Sequence, residues 1–197
     1  MRRRLAATAN ALFALGLVTL IVPAAHVATG LRAQSAVPES GFHRPVPTNP
    51  VDVGQAWGRI EIPRVGIDLV VFQGVDDTTL RKGPGHMPGT ANPSRDAVGN
   101  CVIAGHRDSF FRGLAGVRKG DVVLVRGFDG SIARYRLESR RVVSPEEMSV
   151  VDASADRRLT LLTCYPFRWV GPAPYRLVWT AAAVSPSSAS NPSRAGR

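Results

Sequence analysis

The hydrophobic pattern divides the chain into two unlike parts. Leu5 to Val22 is an apolar run relieved only by mild residues such as Thr8, Asn10 and Thr19, and Arg2, Arg3 and Arg4 stand in front of it. Basic residues followed by about 18 apolar ones read as a signal peptide or as a membrane-spanning helix. The run is longer than an ordinary signal core. Small residues between Ala24 and Ala28 offer a cleavage site without a sharp A-x-A, so both readings stay open. Either one carries the rest of the chain across the membrane, because positive charge stays inside.

Beyond residue 53 the apolar residues come in short strand-like runs bounded by Gly, Pro, Asn and Asp. Gly58–Pro63 and Ile67–Phe72 are short alternating or β-branched runs joined by the turn signal P-R-V-G. Asp76–Arg81 predicts one short helix starting near Asp77 or Thr78, and G-P-G-H-M-P-G-T-A-N-P-S after it reads as punctuation. Val98–Gly105, Asp121–Val125, Ile132–Val143, Leu159–Thr163 and Tyr175–Ala181 supply further strands, with an F-D-G-S turn before Ile132. Ser144-Pro145 predicts a capped helical turn. Eight or so short strands with few helices predict an all-β domain, closed or nearly closed into a barrel.

The organisation follows as an anchor or signal over 1–32, a Pro-rich linker over 33–53, a domain over 54–184 and a disordered Ser/Pro/Arg tail over 185–197. The net charge of +10 invites a nucleic-acid partner. Residues 1–32 hold four of those arginines and no acids, leaving +6 scattered over the remainder with few interleaved aromatics. A solvated surface near anionic lipid or wall polymer explains that charge without nucleic acid.

Three polar groups interrupt the apolar strands in a way that points to chemistry. His106 follows C-V-I-A-G, Cys164 closes T-L-L-T-C, and Arg176 sits in Y-R-L-V-W. A thiol, an imidazole and a guanidinium are the parts that acyl transfer requires: a nucleophile, a proton carrier and a stabiliser of the oxyanion. The blander reading of the two cysteines, Cys101 and Cys164, is a disulfide in an exported domain. Cys101 sits where Val or Ala would serve, whereas Cys164 stands at the end of a strand before Tyr165-Pro166, so the nucleophile falls on Cys164. Asp108 is placed either to orient the imidazole or to cap Phe110–Leu114, and Arg168 lies in an aromatic loop suited to stacking. Neither C-x-x-C nor H-x-x-x-H occurs, so no metal or other cofactor is expected.

These motifs resemble the sortases, membrane-anchored cysteine transpeptidases of the bacterial surface. The shared pattern is a histidine after a strand, T-L-x-T-C, and an arginine in the next strand. The flanks G-P-G-H-M-P-G-T-A, G-N-C-V-I-A-G-H-R-D-S-F-F-R-G-L and T-C-Y-P-F-R-W-V-G-P-A-P-Y-R look like those of class D, over about Trp57 to Ala182. Cys101 departs from the pattern, which has a plain aliphatic residue there. The resemblance implies an eight-stranded sortase-type β-barrel with one or two short helices, preceded by an N-terminal membrane helix. It implies that Cys164 attacks an L-P-x-T-G-like or L-P-x-T-A-like sorting signal on a surface protein. Arg176 would bind the oxyanion and His106 would protonate the leaving amine. The acyl group would pass to an amine on a peptidoglycan precursor or pilin, at the outer face of the cytoplasmic membrane. Thr163, Ala104, Gly105 and Tyr165 are assigned to the substrate side, and the loop Pro145–Arg158 to recognition. Two rivals remain from the residues alone: an exported cysteine hydrolase with water as acceptor, and a non-catalytic wall-binding barrel stapled by Cys101–Cys164.

Overall fold

The computed structural model describes residues 2–37, 51–92, 98–127 and 130–184. The tail over 185–197, the linker over 38–50 and the F-D pair of the F-D-G-S turn lie outside the described residues. A long helix, α1 (Arg2–Ser35), leads into eight strands and a second, one-turn helix. The strands are β1 (Ala56–Ile62), β2 (Ile67–Gln73), β3 (Gly85–His86), β4 (Gly99–Gly105), β5 (Val122–Gly127), β6 (Ile132–Val143), β7 (Arg157–Tyr165) and β8 (Tyr175–Ala183). They close into a barrel in the order β1-β2-β3-β4-β7-β8-β6-β5, with β5 returning to β1.

Side-chain alternation explains the closure. Along β6, Ala133, Tyr135 and Leu137 point inward and are buried, while Arg134 and Arg136 between them face solvent. β4 is buried from Asn100 to Gly105 because both of its faces are covered. Leu159 and Leu161 meet Cys101 and Ile103 inside, with Leu177 and Trp179 of β8 alongside. Burial of this cluster is the main stabilising term.

Three local expectations are corrected by the structure. The punctuated stretch after Lys82 contains β3, which pairs parallel with β2 and antiparallel with β4 and so completes the ring. Gly85 permits this, because a Cβ there would lie 2.0 Å from the Gly74 carbonyl oxygen. The segment after Ser144 forms a 3₁₀ turn at Met148–Val151 that Ser144 does not cap. Ala33–Ser35, read from composition as linker, belongs to α1. The short helix α2 (Asp77–Leu80) starts one residue after its cap: the Asp76 carboxylate accepts the Thr79 N–H at 3.0 Å.

His86 is a structural residue. Its ring stacks on Trp57 with centroids 4.0 Å apart, Nδ1 lies 2.8 Å from Gln73 Oε1, and Nε2 meets the Ala91 carbonyl and the Thr90 hydroxyl. Burial disfavours the imidazolium and pushes the His86 pKa down to about 4. The unfolded chain therefore binds this proton more readily than the folded one, and stability rises with pH between about 4 and 6.5. From pH 7 to pH 4 the barrel is expected to lose about 3 kcal/mol from this residue alone, an upper figure. Urea midpoints across that range, in the parent and in His86→Gln, check it; an equal slope in both would assign the loss elsewhere.

Candidate active site

The strand register assembles the reactive groups. β4 and β7 run parallel with Ala104 beside Leu162 and Gly105 beside Thr163. One step further on, His106 leaves β4 at the level of Cys164. On the other side of β7 the antiparallel register sets Cys164 directly opposite Arg176 of β8. Directly opposed residues share a face, with Cβ atoms about 5 Å apart. Cys164 and Arg176 thus stand side by side on the outer face of the sheet, and both are partly exposed. Among the described residues no hydrogen bond joins the thiol to the imidazole or the guanidinium. Arg176 is held from behind: Nη1 donates to the Ala173 and Tyr175 carbonyls at 3.3 and 3.1 Å.

The remaining predicted residues divide by face. Ala104 lies beside Leu162 on the outward side of the sheet and is only 8% exposed. Thr163 points inward, is only 3% exposed, and donates its hydroxyl to the Gly105 carbonyl at 2.6 Å. It ties β4 to β7 at this level of the barrel. Gly105 is required by close packing, since a Cβ there would sit 2.8 Å from the Phe111 ring. Tyr165 packs on the core, with Phe167 edge-on and Arg140 5.4 Å from its ring centre, so it shapes the rim. Asp108 is exposed and neither orients the imidazole nor caps the 3₁₀ helix at Arg112–Gly116.

The cysteines do not form a staple. Both are free, and Cys101 faces the core opposite Leu159, five residues before Cys164 on β7. That separation is about 16 Å along the strand, far beyond the roughly 7 Å limit for bridging Cα atoms. Burial also drives the Cys101 thiol well above the usual cysteine range.

Two residues with positioning roles escaped the sequence reading. Asn100 is 5% exposed; its amide nitrogen donates to the Val150 and Asp152 carbonyls, and its Oδ1 accepts from Thr160 at 2.7 Å. It pins the β6–β7 loop over the outer face of β7 and β8, which explains why Thr160 and Val178 are buried on a face that points away from the core. Between loop and sheet lies a cavity of about 140 Å³ floored by Thr160, Val178 and Thr180. Asn100→Ala leaves two loop carbonyls and a threonine hydroxyl without this partner and is expected to cost about 1–3 kcal/mol, read in thermal or urea unfolding. The other missed residue is Arg107, whose Nη2 donates to the Trp169 and Gly171 carbonyls of the β7–β8 loop. An asparagine directly before the apolar run C-V-I-A was the sequence signal for the first, and the second had none.

An eight-stranded closed barrel with a thiol and a guanidinium opposed across one strand pair defines a class of cysteine-bearing β-barrels. A sortase-domain family model matches residues 60–184, and the chain belongs to the sortase family. It is 34% identical over 128 residues to sortase D of Bacillus subtilis, an alignment covering 64% of this chain and 63% of that protein. The chain therefore spans somewhat less than two thirds of that relative. Sortase E1 of Streptomyces coelicolor, solved with a tripeptide in its active site, superposes with a TM-score of 0.60 at 26% identity, covering 69% of this chain and 92% of that one. A Clostridium perfringens sortase D5 transpeptidase shares the fold at a TM-score of 0.69 and 21% identity, covering 80% of this chain and 99% of that one.

Proposed function

We propose that the protein is a membrane-anchored cysteine transpeptidase that cuts an L-P-x-T-G-like or L-P-x-T-A-like sorting signal and joins the new acyl end to an amine. The observation that carries this reading is the register that sets Cys164 opposite Arg176 and one step beyond the Gly105–Thr163 pair. The Cys164 thiol passes its proton to His106 as its sulfur adds to the threonine carbonyl, and the oxyanion is met by the N–H groups of Arg176 that do not face the Ala173 and Tyr175 carbonyls. The carbon–nitrogen bond then breaks, and His106 delivers a proton to the departing amine. An incoming amine, on a peptidoglycan precursor or a pilin, attacks the thioester and gives up its proton to His106, which returns it to the departing sulfur and restores the thiol.

The spacing along β7 suits an extended peptide. From Cys164 to the Thr160 cavity is four residues of strand, about 13 Å, which equals the reach of the four signal residues before the scissile bond. α1 supports anchoring: Leu12–Ser35 has a mean hydropathy of 2.0, long and apolar enough to cross a bilayer, and its described side chains up to Val27 are exposed.

The test is mass spectrometry of the full chain in detergent with L-P-x-T-G and L-P-x-T-A peptides, with and without an added amine. An acyl adduct on Cys164 that moves to the amine supports transpeptidation. Release of free acid alone, unchanged by the amine, assigns a hydrolase instead.

A further inference from the structure

The far end of α1 is built into the barrel. Gln34 Oε1 accepts the Val70 N–H at 2.7 Å, and Gln34 Nε2 donates to the Val70 and Lys82 carbonyls, each at 3.0 Å. A side-chain amide thus serves as a neighbouring strand for the stretch of β2 that lies before its pairing with β3. Ala33 and Val37 pack on Val70 and Phe72 beside it. One turn earlier Gly30 is buried, and a Cβ there would lie 2.7 Å from Phe110 Cζ and 3.0 Å from the Arg81 carbonyl oxygen. The helix seats this closely only because residue 30 is glycine.

This seating gives the barrel a defined side toward the bilayer. Gly30 is about 6 Å nearer the apolar part of α1 than Gln34 is, and about 5 Å beyond Val27. Phe110, which touches it, therefore lies on the membrane-proximal side. Phe110 belongs to the turn that follows His106 and is closed by Phe111 N–H on the His106 carbonyl. Arg107 of the same turn carries the β7–β8 loop through the Trp169 and Gly171 carbonyls. The tip of that loop is open and apolar: Val170 is 99% and Trp169 49% exposed, with Arg168 exposed next to them. The Trp169 indole is fixed by donating to the Pro172 carbonyl at 2.9 Å, so its ring is presented rather than folded away. An aromatic and an aliphatic side chain flanked by arginines match the boundary layer of a bilayer, where Trp and Arg concentrate.

We propose that Trp169 and Val170 rest in the interfacial layer of the bilayer that α1 crosses, so that the barrel is held at two points with the Cys164 groove beside the lipid surface. This rests on the reading of α1 as a membrane span. Peptides displayed at the bilayer surface then reach the groove directly.

Trp169 can report this itself. The chain has three tryptophans, and Trp57 and Trp179 are only 7% and 5% exposed. The full chain is reconstituted in phosphatidylcholine–phosphatidylglycerol vesicles containing lipids spin-labelled at the headgroup, and tryptophan emission is read. Quenching that Trp169→Phe abolishes is the expected result. Leu17→Trp, made in the Trp169→Phe background, reports insertion of α1 through lipids labelled deep in the acyl chain. Gln34→Ala is expected to diminish Trp169 quenching while α1 remains inserted. Quenching at residue 17 with none at Trp169 overturns the loop contact and leaves the span intact. Silence at both positions overturns the span and the contact together. Trp169 quenching unchanged by Gln34→Ala overturns the coupling through α1.

Discussion

Cys164→Ala is expected to abolish acyl transfer, a fall of at least about 10³-fold, because no other group in the groove can form the thioester. Cys101→Ala is expected to leave turnover within about twofold while lowering stability by about 1 kcal/mol through a small core cavity. The contrast comes from one register. Both cysteines lie on the paired strands β4 and β7, yet Cys101 faces the core and Cys164 faces the groove. Peptide turnover and the unfolding midpoint, measured on both variants, check the pair. Alkylation of the folded protein adds a third reading: iodoacetamide is expected to label Cys164 alone. Equal loss of turnover in the two variants would remove the assignment of the nucleophile.

The second large effect is expected at Arg176. Arg176→Lys preserves the charge but offers a single ammonium where the guanidinium serves two sides at once. Its Nη1 is engaged with the Ala173 and Tyr175 carbonyls, and its other N–H groups remain for the groove. A lysine cannot keep both, so turnover is expected to fall about 10²–10³-fold, with the loss in kcat rather than KM. The split between kcat and KM for a signal peptide decides the role. A rise in KM at constant kcat would make Arg176 a ground-state binder of the peptide.

The barrel was legible, and the residues proposed for the site could be singled out, because their signals are local. Alternation along Ile132–Val143 marks one face of a strand, and its limits match the observed β6. Cys164 and Arg176 could be picked out because each breaks an apolar run at a strand end. Roles that depend on which face a residue occupies were less legible near the site. Thr163 and Gly105 flank the reactive positions in sequence but point to the opposite side of the sheet, where one ties strands and the other makes room for Phe111. β3 was hidden because two residues amid Gly and Pro carry no pattern, and their pairing is fixed by partners distant in sequence. The end of α1 was hidden for the same reason. Ala33-Gln34-Ser35 looks like spacer, and only the unpaired edge of β2 gives Gln34 its place.

The parallel pairing of β4 with β7 has a consequence for the life of the chain before it is folded. His106 and Cys164 come from segments 58 residues apart, and the Thr163 bond to Gly105 bridges that distance. Contacts of such long range form slowly, after more local hairpins such as β5–β6 and β7–β8. Until they form, Cys164 has Arg176 across a hairpin but no imidazole beside it. A half-made molecule therefore holds the thiol and the guanidinium without the imidazole that the proposed reaction requires. Under the proposed mechanism, activity is expected to appear only once the β4–β7 pairing is made.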